Sequence, residues 1–217
     1  MERVINKTLL SYLLNQGFIT KHQHGFIKRK SVTSNLLECL EDWSLNFQSR
    51  HVTDVIFIDY KKALDTVCHN KLLFKLQSYG IHGNLLNWIQ AFLLGRSQSV
   101  RVGKSISASS PVISGVPQGS VLGPTLFLLY INDVVGIFPD LTVSLSPFAD
   151  DLKLYSDYTV DATHSDLQAA INRLTEWAKK WQLQISIPKC SAFRIKNTQW
   201  NLANDCLLYT SPSPRDS

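Results

Sequence analysis

The chain has 217 residues, 44% of them hydrophobic and 10% aromatic, enough for one sizeable core with a lobe attached. Its net charge of +5 and pI near 9.0 fit a polyanionic partner. No apolar run approaches the roughly 18–20 residues that span a bilayer, the start MERVINK lacks the apolar stretch of a signal peptide, and Cys39, Cys68, Cys190 and Cys206 show no paired metal spacing. A reduced, intracellular protein with no membrane attachment is expected, nucleus or cytoplasm undecided.

In chain order, residues 2–17 carry apolar side chains at helical spacing and stop at Gly17. A basic loop, KHQHGFIKRKS, leads to a second amphipathic helix over 32–48, capped by Ser31 or Thr33. The run DVIFID predicts a buried strand ending at Asp59. Helices follow at roughly 69–79 and 84–94, then an alternating stretch that turns at Gly103-Lys104 and predicts a hairpin. SVLGPTLFLLYINDVV predicts a buried helix after a Gly-rich loop. LTVSLSPFADDLKLYS predicts two short strands joined at Asp150 and Asp151, and residues 161–182 a helix opened by Asp161 or Thr163. KCSAFRIKN predicts a last strand. Trp43, Trp88, Trp177 and Trp181 fall at helical spacing and are expected to pack in the core rather than stack on bases. Residues 206–217 (CLLYTSPSPRDS) change composition abruptly, and their back-translation resembles a sequencing adapter. They are expected to be a library remnant, which sets the native boundary near Asp205.

Adjacent aspartates in an apolar run are costly to desolvate. A β-turn accounts for them if they stand alone, and a helix N-cap accounts for Asp59 in the same way. Together the three suggest more. Strands ending at one edge of a sheet would gather Asp59, Asp150 and Asp151, and clustered carboxylates call for a cation between them. Two magnesium ions about 3.5–4 Å apart would meet that need in phosphoryl transfer.

FIDYKKALDTV, SGVPQGSVLGPTLFLLYINDV, FADD, QHGFIKRKS and WQLQISIPKC together resemble, in order and spacing, the motifs of the reverse transcriptases of non-LTR (LINE-type) retrotransposons. The resemblance covers nearly all of residues 2–205. It implies an α+β fold, a right-hand polymerase palm with an antiparallel sheet packed on helices. Residues 1–50 would be partial fingers and their connection, 51–205 the palm, with the thumb, upstream fingers strands and endonuclease missing. The implied activity is RNA-templated DNA synthesis on a DNA primer from deoxynucleoside triphosphates, with Mg2+ (two ions, Mn2+ as substitute) and no obligate protein partner. Asp59, Asp150 and Asp151 would be the metal ligands and Lys189 a cation beside the leaving pyrophosphate. Phe148 and Ala149 would face the primer end, Gln118 and Gly119 the incoming nucleotide, with Gly115 and Gly119 giving the backbone close approach to a base pair. Lys28, Arg29 and Lys30 would touch template phosphates; the rival for them, and for Lys189, is a solvated surface. Leu64 replaces the family's aromatic, which puts sugar discrimination in doubt. The rival readings are a decayed, non-catalytic nucleic-acid-binding remnant and a palm polymerase that makes RNA.

Overall fold

The computed structural model describes residues 1–159 and 165–196. Two compact units interleave along the chain.

The first unit comprises Met1–Thr20, Lys62–Asp133 and Lys180–Leu183. Its helices are α1 (Glu2–Asn15), α3 (His69–Ser78), α4 (Gly83–Leu93) and α5 (Gly123–Ile131). Helix α5 is apolar all round, and every residue in it except Pro124 is buried, as expected of a core helix. It is shorter than the predicted run: from Asn132 the backbone tightens into a 3-10 segment, Asn132–Ile137. No side chain of its own caps α5. The Glu2 carboxylate does so from α1, accepting from the Val121 and Leu122 N–H groups at 2.9 and 3.3 Å, where a negative charge suits the helix dipole. Helix α3 packs on α4 and α5. Four short strands, β2 (Ser97–Gln98), β3 (Arg101–Val102), β4 (Ser105–Ile106) and β5 (Ser110–Pro111), form the predicted hairpin as a two-part ribbon.

The second unit comprises Lys21–Lys61 and the described residues of 134–179 and from Gln184 on. A four-stranded antiparallel sheet in the order β6-β7-β1-β8 forms its centre: β1 (Val52–Ile58), β6 (Ser144–Phe148), β7 (Asp151–Tyr158) and β8 (Ser191–Ile195). Helix α2 (Val32–Gln48) opens with a capping box between Ser31 and Ser34 and lays Asn35, Cys39 and Trp43, spaced by four, towards the sheet. Cys39, Trp43, Val55 and Tyr155 form one buried cluster with Phe57 and Ile195 against it. The Trp43 ring meets Tyr155 and Phe193 edge-on, with centroids 5.9 and 5.7 Å away. Truncating such an aromatic costs about 3–5 kcal/mol. Asn35 is fully buried, donates to Ser146 Oγ at 2.7 Å and accepts from Lys153 Nζ, so its polar atoms are satisfied under the sheet. Helix α6 (Ser165–Trp181), whose residues to Lys179 belong to this unit, buries Ala170, Leu174, Trp177 and Ala178 here, while Trp181, counted with the first unit, is buried too. Its expected caps, Asp161 and Thr163, lie outside the described residues, as do Trp200 and the tail from 206.

Trp43, Trp177 and Trp181 are buried as expected. Trp88 is not: it is half-exposed and stacks on Phe92, 5.5 Å between centroids, because its position on α4 falls beside the buried stripe Leu86, Ile89 and Leu93.

Candidate active site

The site residues of the second unit follow from strand register. The last pair of the β1–β7 ladder is Ile58↔Leu152, so Asp59, next along β1, reaches the sheet edge where Asp151 begins β7. Phe148 pairs with Asp151, which leaves Ala149-Asp150 as a two-residue hairpin loop. The predicted joint thus sits one residue earlier, and Asp151 belongs to the strand. Ala149 has φ +53°, a left-handed backbone at the first loop position that ordinarily favours glycine, whereas Asp150 is not left-handed. An alanine there costs on the order of 1 kcal/mol. Asp150 therefore is a turn residue, and the turn aims it at the edge that Asp59 occupies.

Neighbouring backbone fixes Asp59. Its carbonyl accepts from the Ser186 N–H at 2.8 Å, Tyr60 bridges Ile185, and the Lys61 N–H donates to Gln184 O at 2.7 Å. The chain then forms the 3-10 turn Ile187–Lys189, which brings Lys189 Nζ to 3.5 Å from Asp59 Oδ1. That oxygen is buried and accepts no hydrogen bond. Lys189 is 68% exposed, so its attraction for Asp59 is solvent-screened. Burial is the main force raising the Asp150 carboxyl above its ordinary range; the Asp59 charge adds to it and Lys189 opposes it. Asp151 is raised by burial first, then by Asp150 and Asp59, against Lys153 and Lys189. The three carboxylates feel one another.

An open, buried carboxylate oxygen beside two mutually repelling carboxyls is a donor set for a hard divalent cation, which takes oxygen ligands. Among the described residues, no three His, Cys, Asp or Glu side chains are gathered closely enough to enclose an ion as they stand.

A buttress under the hairpin escaped the sequence reading. Gln23, 3% exposed, accepts with its side-chain oxygen from the Gly25 N–H at 2.7 Å and the Ala149 N–H at 2.9 Å. The His24 N–H donates to Pro147 O at 3.3 Å. Gly25 lies against Ala149 so closely that a Cβ would fall 2.7 Å from its Cα. Both residues stand in the quoted QHGF, but nothing local marks a contact more than 120 residues away. In the nearby basic cluster, Lys28 and Arg29 are exposed, while Lys30 turns back to donate to Lys21 O. Phe148 is half-buried.

In the first unit, Leu64 is half-buried and its carbonyl accepts from Val116 N–H at 2.8 Å. Gln118 Nε2 donates to Asp65 Oδ1 at 2.6 Å, and Ser114 Oγ donates to Asp65 O at 2.9 Å. Asp65, within the quoted FIDYKKALDTV, thereby orients Gln118, a role the sequence reading left unassigned. Gly115 has φ +88°, and a Cβ would sit 2.7 Å from the Asp65 carbonyl oxygen. Its lack of a side chain lets it pack against Asp65. Gly119 has φ +78° and open space around it.

Residues 1–207 match the family described as Reverse transcriptase (RNA-dependent DNA polymerase). The RNA-directed DNA polymerase from mobile element jockey of Drosophila funebris is 32% identical over 207 residues, covering 91% of this chain and 22% of that protein. Its counterpart from jockey of Drosophila melanogaster is 30% identical, covering 91% and 22%. The chain thus spans about a fifth of the length of these relatives. Among solved structures, telomerase from Candida tropicalis, in complex with a TWJ fragment of telomeric RNA, superposes with a TM-score of 0.69 at 12% identity, covering 91% of this chain and 34% of that one. That likeness shows a shared fold. No helix among the described residues is long and apolar enough to cross a membrane. The sheet register, the hairpin aspartates and the family match converge: the chain belongs to the reverse transcriptase (RNA-dependent DNA polymerase) family, of the kind carried by non-LTR retrotransposons.

Proposed function

We propose that the chain is the catalytic palm portion of an enzyme that extends a DNA primer on an RNA template, transferring nucleotidyl groups from deoxynucleoside triphosphates to the primer 3′-hydroxyl. The observation that carries this reading is the meeting of Asp59, Asp150 and Asp151 at one sheet edge, with the Asp59 Oδ1 buried and open. Asp59, Asp150 and Asp151 would hold the divalent ions, Mg2+ or Mn2+ in its place, which when bound neutralise the attacking and leaving oxygens. Asp59 and Asp150 carry most of that task. Asp59 is held by the backbone bond from Ser186, and Asp150 by the short loop between the paired Phe148 and Asp151, which supports carboxylates preorganised before substrate arrives. Lys189, on its exposed turn 3.5 Å from Asp59, would meet negative charge on the departing pyrophosphate. Phe148 and Ala149 support the primer end. Gln118, held by Asp65, and Gly119 would lie beside the incoming nucleotide, Leu64 would leave a gap by the sugar where the family has a ring, and Lys28 and Arg29 would reach template phosphates more readily than the tied-back Lys30.

Two measurements test this. In an enzyme completed with the remaining length of a jockey-type relative, Asp59→Asn or Asp150→Asn should lower primer extension by orders of magnitude, and Asp151→Asn by less. In the 217-residue chain, Mg2+ or Mn2+ should raise the melting temperature of the parent more than that of either variant. Full activity in a folded Asp150→Asn enzyme would return that residue to a turn role alone.

A further inference from the structure

The charge of this chain is unevenly distributed. Residues 66–132 contain no Asp or Glu, yet hold Lys71, Lys75, Arg96, Arg101 and Lys104. Lys75 is buried and paired with Asp133. Arg96, Arg101 and Lys104 stand on the ribbon of β2 to β5, where every residue from 94 to 111 is exposed.

The ribbon is continuous. Ser97↔Pro111 and Gln98↔Ser110 pair at its base, the Val112 N–H donates to Arg96 O at 2.9 Å, and the Ser107 N–H donates to Val100 O at 2.9 Å. Val102↔Ser105 closes the tip around Gly103-Lys104, with Gly103 at φ +59°. Six residues of strand from base to tip reach roughly 20 Å. Arg101 and Lys104 sit at the far end, and among the described residues neither has a carboxylate partner. Between them and the base lie serines, with Val100 and Val102 exposed beside them.

An exposed two-stranded ribbon without acids, tipped by free cations, complements a polyanion. Single strands are held largely by stacking on rings, and residues 94–126 contain no Phe, Tyr or Trp. A duplex needs no rings, only donors aimed at its phosphates. Arginine, lysine and serine hydroxyls supply those. We propose that the ribbon of residues 96–112 is a docking arm for duplex nucleic acid, holding backbone phosphates through Arg101 and Lys104 independently of sequence. This rests on the polymerase reading above for the partner's identity, the template–primer hybrid.

The test uses the 217-residue chain and a labelled RNA–DNA hybrid, with affinity followed by fluorescence anisotropy from 50 to 300 mM KCl. Arg101→Ser/Lys104→Ser should bind roughly 10–100-fold more weakly at 0.1 M salt, and the slope of log affinity against log salt should flatten by about 1.8, the value for two lost duplex contacts. Arg3→Ser/Lys7→Ser removes the same charge from α1 and should change both far less. Equal losses in the two variants would reduce the effect to net charge and overturn the arm. So would an unchanged ribbon variant, a larger loss on single-stranded RNA than on the hybrid, or self-association through Val100 and Val102 that the hybrid does not displace. An unchanged ribbon variant on a parent that binds hybrid leaves the polymerase reading standing. A parent that binds no hybrid at all removes both.

Discussion

Gly25→Ala probes the buttress directly. The added methyl carbon would sit 2.7 Å from the Ala149 Cα, where neither partner is the end of a flexible side chain. Ordinary contact needs more than 3.4 Å, so one backbone segment must retreat by roughly 1 Å. Retreat would stretch the bonds from Gln23 to the Gly25 and Ala149 N–H groups, now 2.7 and 2.9 Å. Overpacking of this kind costs about 1–3 kcal/mol, and a buried donor left unpaired adds about 1–3 kcal/mol. A loss of roughly 2–6 kcal/mol is expected, read as a lower urea midpoint at unchanged m-value. The same displacement moves Asp150, and a 1 Å error at a reacting centre can cost about 100-fold in rate. The metal-induced rise in melting temperature should therefore shrink in the folded variant. Parent-like stability together with a parent-like metal response would refute the buttress.

Other expectations are independent of it. Leu64→Phe in a completed enzyme should raise the preference for deoxynucleotides over ribonucleotides; equal ratios before and after would place sugar selection elsewhere. Without metal, Asp150→Asn or Asp151→Asn should leave the fold as stable or slightly more stable at neutral pH, because a carboxyl whose folded pKa is raised stabilises below its unfolded pKa and loses that contribution as pH rises; chemical denaturation at pH 7 and pH 4 reads the sign. Lys75, 3% exposed, is lowered to about 8 mainly by burial, against support from Asp133, so the unfolded chain binds the extra proton between about 8 and 10.5. Stability should rise from pH 8 to 10 by an amount on the order of 1–3 kcal/mol. A matching slope in Lys75→Met would show that another group causes it.

The site was legible wherever its chemistry is local. Asp59 terminates an apolar strand, and Asp150 and Asp151 interrupt a pair of strands, so one-dimensional pattern located all three. The Ser31 cap and the Gly103-Lys104 turn were legible for the same reason. What pattern does not carry is which distant backbone leans on which. Gly25 looks like any loop glycine until Ala149 lies against it, Glu2 like any first-turn acid until it caps α5, and nothing in the sequence says that Gly115 packs on Asp65. Trp88 shows the limit of periodicity, which fixes an angular position but not how far the buried stripe extends.

The strand order also governs how the chain can be made. β1 leaves the ribosome early, but its partners are β7 and β8, both synthesised much later. Until Ile195 emerges, one edge of an apolar strand has no hydrogen-bonding neighbour, and such edges recruit other chains. Translation halted before Ser191 should thus yield a nascent product that clumps or is captured by chaperones, whereas one carried through Ile195 can close its central sheet.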